Sequence, residues 1–352
     1  MTSAPTAAPE SVLRELGAAL RRWADGGAPR VGVVRVLERH GFGTVESGQL
    51  LAAAPDGDIA GVLLRGAVDR TAVALAIAEA IGAPPATRAA HVGEDDAAAA
   101  GLACSGGATL LGHALPADAA GILGAALEAG TPAALVAPVD AAPSDRGRAL
   151  VLTGPDLDAV HGSLGSPERD RVAVDTARHR LRRGATLTER LPGEAGDLLL
   201  DLWVPVPSVL VVGTGAIADA LAAQAAVLGW GAHRTTDPVE ARTVVAAFSA
   251  ADVLVLLDHD PVFDAVLADG LRRGRAFVGA LGSRQTQTAR RERLRAAGLT
   301  DAELAALHGP VGLDLGARTA AETAVSVVAQ VIAARAGRSA DALAASGGPI
   351  GA

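Results

Sequence analysis

One cysteine, two glycine turns and one Asp-His-Asp cluster are the residues of this chain with chemistry to offer. Cys104 is the sole cysteine of 352 residues and lies in GLACSGG, residues 101–107. Its small neighbours leave the backbone pliable and the thiol approachable, and a thiolate is a good ligand for sulfur chemistry or a soft metal. A lone cysteine is more often a small buried hydrophobe. With no second cysteine, an intrachain disulfide, a cysteine zinc cluster and a CxxC redox pair are all excluded.

The first glycine cluster is VLVVGTGAIA, residues 209–218. Gly213 suits a tight turn, Gly215 lets a backbone approach phosphate, and Ala218 lets the following helix pack on its strand. The helix start then offers free N–H donors to a pyrophosphate. Asp237 follows Gly213 by 24 positions, near the roughly 20-residue offset of a ribose-binding acid. The same pattern also fits a Rossmann-shaped domain that holds no dinucleotide. The second cluster, LLDHDPVFD, carries Asp258, His259, Asp260 and Asp264 after an apolar run. A histidine among carboxylates could move a proton or hold a metal. An Asp-Pro turn capping the next helix is the plainer reading, so no metal site is expected. The third cluster, GALGSRQT, places Gly282, Ser283 and Arg284 at a turn into a helix. With Arg318, Arg284 could form a cationic rim that grips an anion; helix capping and surface arginines account for the same residues.

Alternating elements must position these groups. From Val209, apolar runs such as SVLVVG, ADVLVLLD and RAFVGALG alternate with amphipathic stretches such as ADALAAQAAVLG and TARRERLRAAG. That alternation predicts a Rossmann-like, doubly wound parallel sheet over 205–338. Thr300 with Glu303 and Thr319 with Glu322 are capping boxes that should open helices at DAELAALHG and at 320 onward. Before Pro205 and Pro207 the pattern is α+β. ALVLTGPDLDAVHGSL resembles the earlier LLAAAPDGDIAGVLL. Residues 1–200 therefore read as two related units, about 1–115 and 116–200, and 339–352 as a flexible tail.

Composition narrows the classes. The net charge of −8 argues against a general nucleic-acid binder. All basic residues are arginine, and tyrosine is absent, which removes Tyr-Lys dehydrogenase chemistry. No apolar run is long enough for a membrane span. The first residues lack a basic region followed by an apolar core, so the cytoplasm is the expected location.

Together, DHDPVFD, VGALGSRQT and HGPVGLDLGART with AAE322 resemble the C-terminal domain of the XdhC/CoxI family. GLACSGG resembles that family's GLxCGG element, with Ser105 in place of a glycine. The resemblance implies an accessory factor, not an enzyme in its own right. Such a factor binds molybdenum cofactor, protects it during sulfuration and hands it to a molybdenum hydroxylase. It implies Cys104 as the thiol contact, with Gly213, Gly215, Arg284 and Arg318 near a phosphate in a common cleft. It also implies three partners: the hydroxylase large subunit, a cysteine desulfurase and a second copy of the chain. Two positions depart from the family pattern. Ala67 stands where a GGCVEG-like motif has cysteine, and Ala216 where a histidine often follows the glycine turn. Two other functions remain open: an NAD(P)-dependent oxidoreductase with His259 as proton donor, and a docking or dimerisation scaffold without catalysis.

Overall fold

A computed structural model describes residues 9–43, 45–139, 147–194, 196–274 and 276–345. The expected tail is therefore described only to 345, and its remainder lies outside the described residues. Two compact units divide the chain. Residues 9–178 and Thr186–Trp203 form the first; His179–Ala185 and 204–345 form the second.

The first unit opens with α1 (Pro9–Asp25), β1 (Arg30–Gly41), β2 (Leu51–Ala53) and β3 (Ile59–Gly61). It continues through α2 (Asp69–Ala80), β4 (Ala86–Val92), α3 (Glu94–Ala99) and β5 (Gly106–Pro116). The plan then repeats: α4 (Ala117–Ala129), β6 (Ala133–Pro138), β7 (Ala149–Thr153), β8 (Ala159–Ser163), α5 (Pro167–Leu181), β9 (Leu187–Leu191) and β10 (Leu198–Trp203). The two five-stranded sheets have matching orders, β3-β2-β1-β5-β4 and β8-β7-β6-β10-β9. All their pairings are antiparallel.

One glycine pair marks the equivalence. Gly61 lies opposite Leu51 and Gly162 opposite Leu150, both with φ near +85° (+82° and +87°). A Cβ at Gly61 would sit 2.1 Å from the Leu50 carbonyl oxygen; one at Gly162 would sit 2.2 Å from that of Ala149. Only glycine permits that conformation and that approach. Helices α1 and α4 cross where Gly17 and Gly124 meet, each leaving room for the other's backbone. Leu16, Leu20 and Trp23 of α1 join Leu123 and Leu127 of α4 in one core with Val33, Leu135 and Val151 of the sheets.

The second unit is a parallel sheet. It runs β11 (Ser208–Val212), α6 (Ala216–Val227), β12 (Gly231–Thr235), α7 (Pro238–Ala246), β13 (Val253–Leu256), α8 (Asp264–Arg273) and β14 (Phe277–Ala280). It ends with α9 (Arg284–Ala296), α10 (Asp301–Ala305), β15 (Leu307–His308) and α11 (Ala320–Ala336). Strand order is β12-β11-β13-β14-β15, every pair parallel. The central strands are buried on both faces, as a sheet covered by helices on each side requires. Both capping boxes form, at Thr300/Glu303 and Thr319/Glu322. The helix expected over DAELAALHG is shorter than its sequence suggests. It stops at Ala305 because Leu307 and His308 pair with Val278 and Gly279 as the sheet's last strand. Among the described residues no helix is long and apolar enough to cross a membrane.

Candidate functional site

The three clusters of the second unit, two of them glycine turns, converge on the carboxyl edge of its sheet. Gly213, with φ +130°, directly follows β11, and Gly215, with φ +92°, is the N-cap of α6. A Cβ on Gly213 would lie 3.0 Å from the Leu257 Cβ and 3.5 Å from the Asp258 nitrogen. The glycine turn therefore rests on the segment that carries Asp258, His259 and Asp260. A Cβ on Gly282 would lie 3.2 Å from the His259 Cε1, so the third cluster touches the second. Nothing lies within 4 Å of a Cβ built on Gly215. The front of the turn is open above a helix start whose N–H groups are free to receive an anion. Ala218 is fully buried beneath it.

A cleft of about 600 Å³ opens at this turn, lined by Gly213, Gly215, Asp219, Arg234, Asp237 and Glu240. Its charges are largely spoken for. Arg234 is paired with Asp219. Glu240 accepts from the Thr235 hydroxyl and sits 3.0 Å from His233 Nε2. Asp237 caps α7, its carboxylate accepting from the Val239 N–H at 2.9 Å.

Asp258 and Asp260 also close turns. Asp258 Oδ1 accepts from the Asp260 N–H, and Asp260 Oδ1 from the Val262 N–H, each at 2.9 Å. Asp264 takes Arg293 at 2.5 Å. Among the described residues, no group of three or more histidine, cysteine, aspartate or glutamate side chains is placed to hold a metal. Ser283 caps α9 through the Thr286 N–H. Arg284 begins that helix and Arg318 precedes the cap of α11, both exposed.

Two residues that hold this edge together were not singled out by motif. Arg290 is fully buried and reaches the ends of two strands. It donates to the Asp258 carbonyl at 2.9 Å and to that of Leu281 at 3.2 Å. Gln287 donates to the carbonyls of Ala280 and Leu281 and accepts from Arg290. Burial lowers the Arg290 pKa from its ordinary value. The signal in the sequence is their spacing. They lie three apart on α9, which puts both on one helix face, here the face toward the sheet. His308 stacks on Phe277 with ring centroids 4.2 Å apart, and burial lowers its pKa.

Cys104 belongs to the first unit and is exposed. It lies in the short loop between α3 and β5. Ala67, where the family pattern has cysteine, follows a left-handed turn at Leu64, Arg65 and Gly66.

Residues 209–331 match the profile of the XdhC Rossmann domain. The chain is also similar to the uncharacterized protein YqeB of Escherichia coli strain K12. The two are 27% identical over 170 residues, 43% of this chain and 31% of YqeB, so the match spans under a third of that relative's length. In fold it is similar to the crystal structure of a xanthine dehydrogenase from Bacillus halodurans. That likeness has a TM-score of 0.51 at 18% identity and covers 95% of this chain and 98% of the other. At that identity the likeness is one of fold.

Proposed function

We propose that this protein is an accessory factor for a molybdenum hydroxylase of the xanthine dehydrogenase or carbon monoxide dehydrogenase type. Its cargo is molybdenum cofactor, which it holds while a cysteine desulfurase supplies sulfur and then passes to the hydroxylase large subunit. The match of residues 209–331 to the XdhC Rossmann domain carries this reading. Two local features fit the cargo. The exposed Cys104 thiol is a soft donor suited to sulfur or molybdenum. The open glycine turn at Gly213 and Gly215, with Arg284 and Arg318 exposed, suits a phosphate. The factor works in the cytoplasm as a homodimer. Purification from molybdate-fed cells, followed by mass spectrometry of bound small molecules, tests the reading. Cofactor near one per chain is expected, with a several-fold loss in Cys104→Ala. A cofactor-free protein that leaves hydroxylase activity unchanged when deleted rules it out.

A second reading is nucleotide binding, favoured by the 600 Å³ cleft at the glycine turn. In it NAD(P) lies along the sheet edge, with Asp237 toward the ribose and His259 as the proton donor. Titration with NADH and NADPH by fluorescence separates the two; tight binding with turnover of a substrate favours the oxidoreductase.

A further inference from the structure

Three neighbouring strands of the first unit put two histidines on one rung. Gly107 of β5 lies opposite His40 of β1 and, on its other side, opposite His91 of β4. Directly opposed residues of antiparallel strands project from the same face. The histidines therefore share a face, two strand spacings of about 4.8 Å apart, with a glycine between them. That glycine lets them approach. A Cβ on Gly107 would lie 2.5 Å from His40 Nε2 and 2.6 Å from its Cε1. The His40 ring thus lies across β5, and its Nε2 stands over the middle strand, one spacing from β4. Gly107 is buried beneath it, while both histidines are exposed.

The rest of this face is small or already engaged. Its next rung is Glu38, Thr109 and Ala89, and Glu38 is paired with Arg190. Among the described residues, neither imidazole has a hydrogen-bond or ion-pair partner. Their ring nitrogens are therefore free to act as ligands, and histidine is the commonest ligand to metals. Imidazole suits zinc, nickel and copper, with bonds of about 2.0–2.1 Å to zinc. A nitrogen standing over β5 and a second ring reaching from β4 can meet on one such ion. Magnesium and calcium, which take oxygen ligands, are poorly matched. No third histidine, cysteine or carboxylate completes a ligand set among the described residues. The remaining positions fall to water, and the pair is a two-point chelate open to exchange.

We propose that His40 and His91 chelate a divalent cation of the zinc, nickel and copper class across Gly107. The site is independent of the cofactor role proposed above and stands if that reading falls. The probe is nickel chloride, titrated calorimetrically into the full chain with any affinity tag removed. One ion per chain is expected at this pair, with affinity at least ten-fold weaker in His40→Ala and in His91→Ala. Both side chains are exposed, so the variants leave the core intact. Cys104→Ser, which removes the chain's only thiol, should bind as the parent does. The paramagnetic ion should also broaden the ring-proton resonances of both histidines at the same substoichiometric dose. Absence of saturable binding, or parent affinity in either histidine variant, overturns the proposal. Loss of binding in Cys104→Ser also overturns it, because the thiol would then be the ligand.

Discussion

The guanidinium of Arg35 donates to the Asp201 carboxylate at 2.7 Å, and both side chains are wholly shielded from solvent. Arg35 stands on β1 and Asp201 on β10, so the pair ties one sheet of the first unit to the other. Arg35 also reaches the carbonyls of Leu135 and Leu199, and Thr188 donates to Asp201 at 2.5 Å. Burial works against both charges, lowering the Arg35 pKa and raising that of Asp201, while their attraction opposes it.

Removing one partner should therefore be worse than removing both. Asp201→Leu leaves a guanidinium buried without its counter-charge and is expected to cost about 3–5 kcal/mol. Arg35→Met with Asp201→Leu replaces the pair by apolar groups and should recover most of that loss. Guanidinium denaturation of the three proteins measures both quantities. A double variant as unstable as the single one would mean that the pair stabilises by more than mutual neutralisation.

A third ionisable group faces the same region. His113 lies opposite Val33 on β5, as Asp201 lies opposite Leu135 on β10. The registers of Leu51 and Leu150 make these two positions equivalent in the repeat. Burial first, and the Arg35 charge second, hold the His113 pKa well below the ordinary histidine value. The imidazole is neutral in the fold and takes a proton only on unfolding. Its contribution is thus complete above about pH 6.5 and is lost as pH falls below that value. The slope is about 1.4 kcal/mol per pH unit for one proton. Denaturation midpoints between pH 7.5 and 5.5 should show this fall, and His113→Leu should flatten it. An equal slope in both proteins would assign the acid sensitivity to other groups.

The glycines that mark the repeat give a third test. Gly61→Ala and Gly162→Ala each push a Cβ onto a carbonyl of the neighbouring strand and force alanine to a positive φ. Each should destabilise by about 1–3 kcal/mol or more. Thermal melts of both should fall together. Tolerance at one position alone would show that the paired hairpins do not carry equal weight.

The parallel sheet was legible because its strands are short apolar runs ended by glycine or aspartate, and two helices announce themselves by capping boxes. Strand β15 was not, because two residues in DAELAALHG carry no strand signature and acquire one only by pairing with β14. Strands β4 and β9 carry no sequence signature for a related reason. ATRAAHV and LTERL are polar edge strands, and their partners, not their composition, decide their state. At the sheet edge, Gly213, Asp258, His259 and Gly282 could be found because glycine turns follow strands. Arg290 and Gln287 look like two more polar residues on a charged helix. Likewise Arg35, His113 and Asp201 each interrupt an apolar strand singly, and only the packing of two sheets shows that they belong together.

Asp237 has two chemical uses that one substitution can separate. Its visible role is to cap α7 through the Val239 N–H, and it also lines the cleft at the glycine turn. Serine caps a helix about as well as aspartate but has no charge. Asp237→Ser should therefore leave stability within a few tenths of a kcal/mol, whereas Asp237→Ala should lose about 1 kcal/mol. If the carboxylate also accepts from a ribose hydroxyl, both variants weaken NADH binding about equally, by roughly ten-fold for a charged hydrogen bond. If it is a cap alone, nucleotide affinity is the same in all three proteins. Isothermal titration with NADH beside a denaturation curve resolves the two roles, because serine moves only the first quantity and alanine moves both.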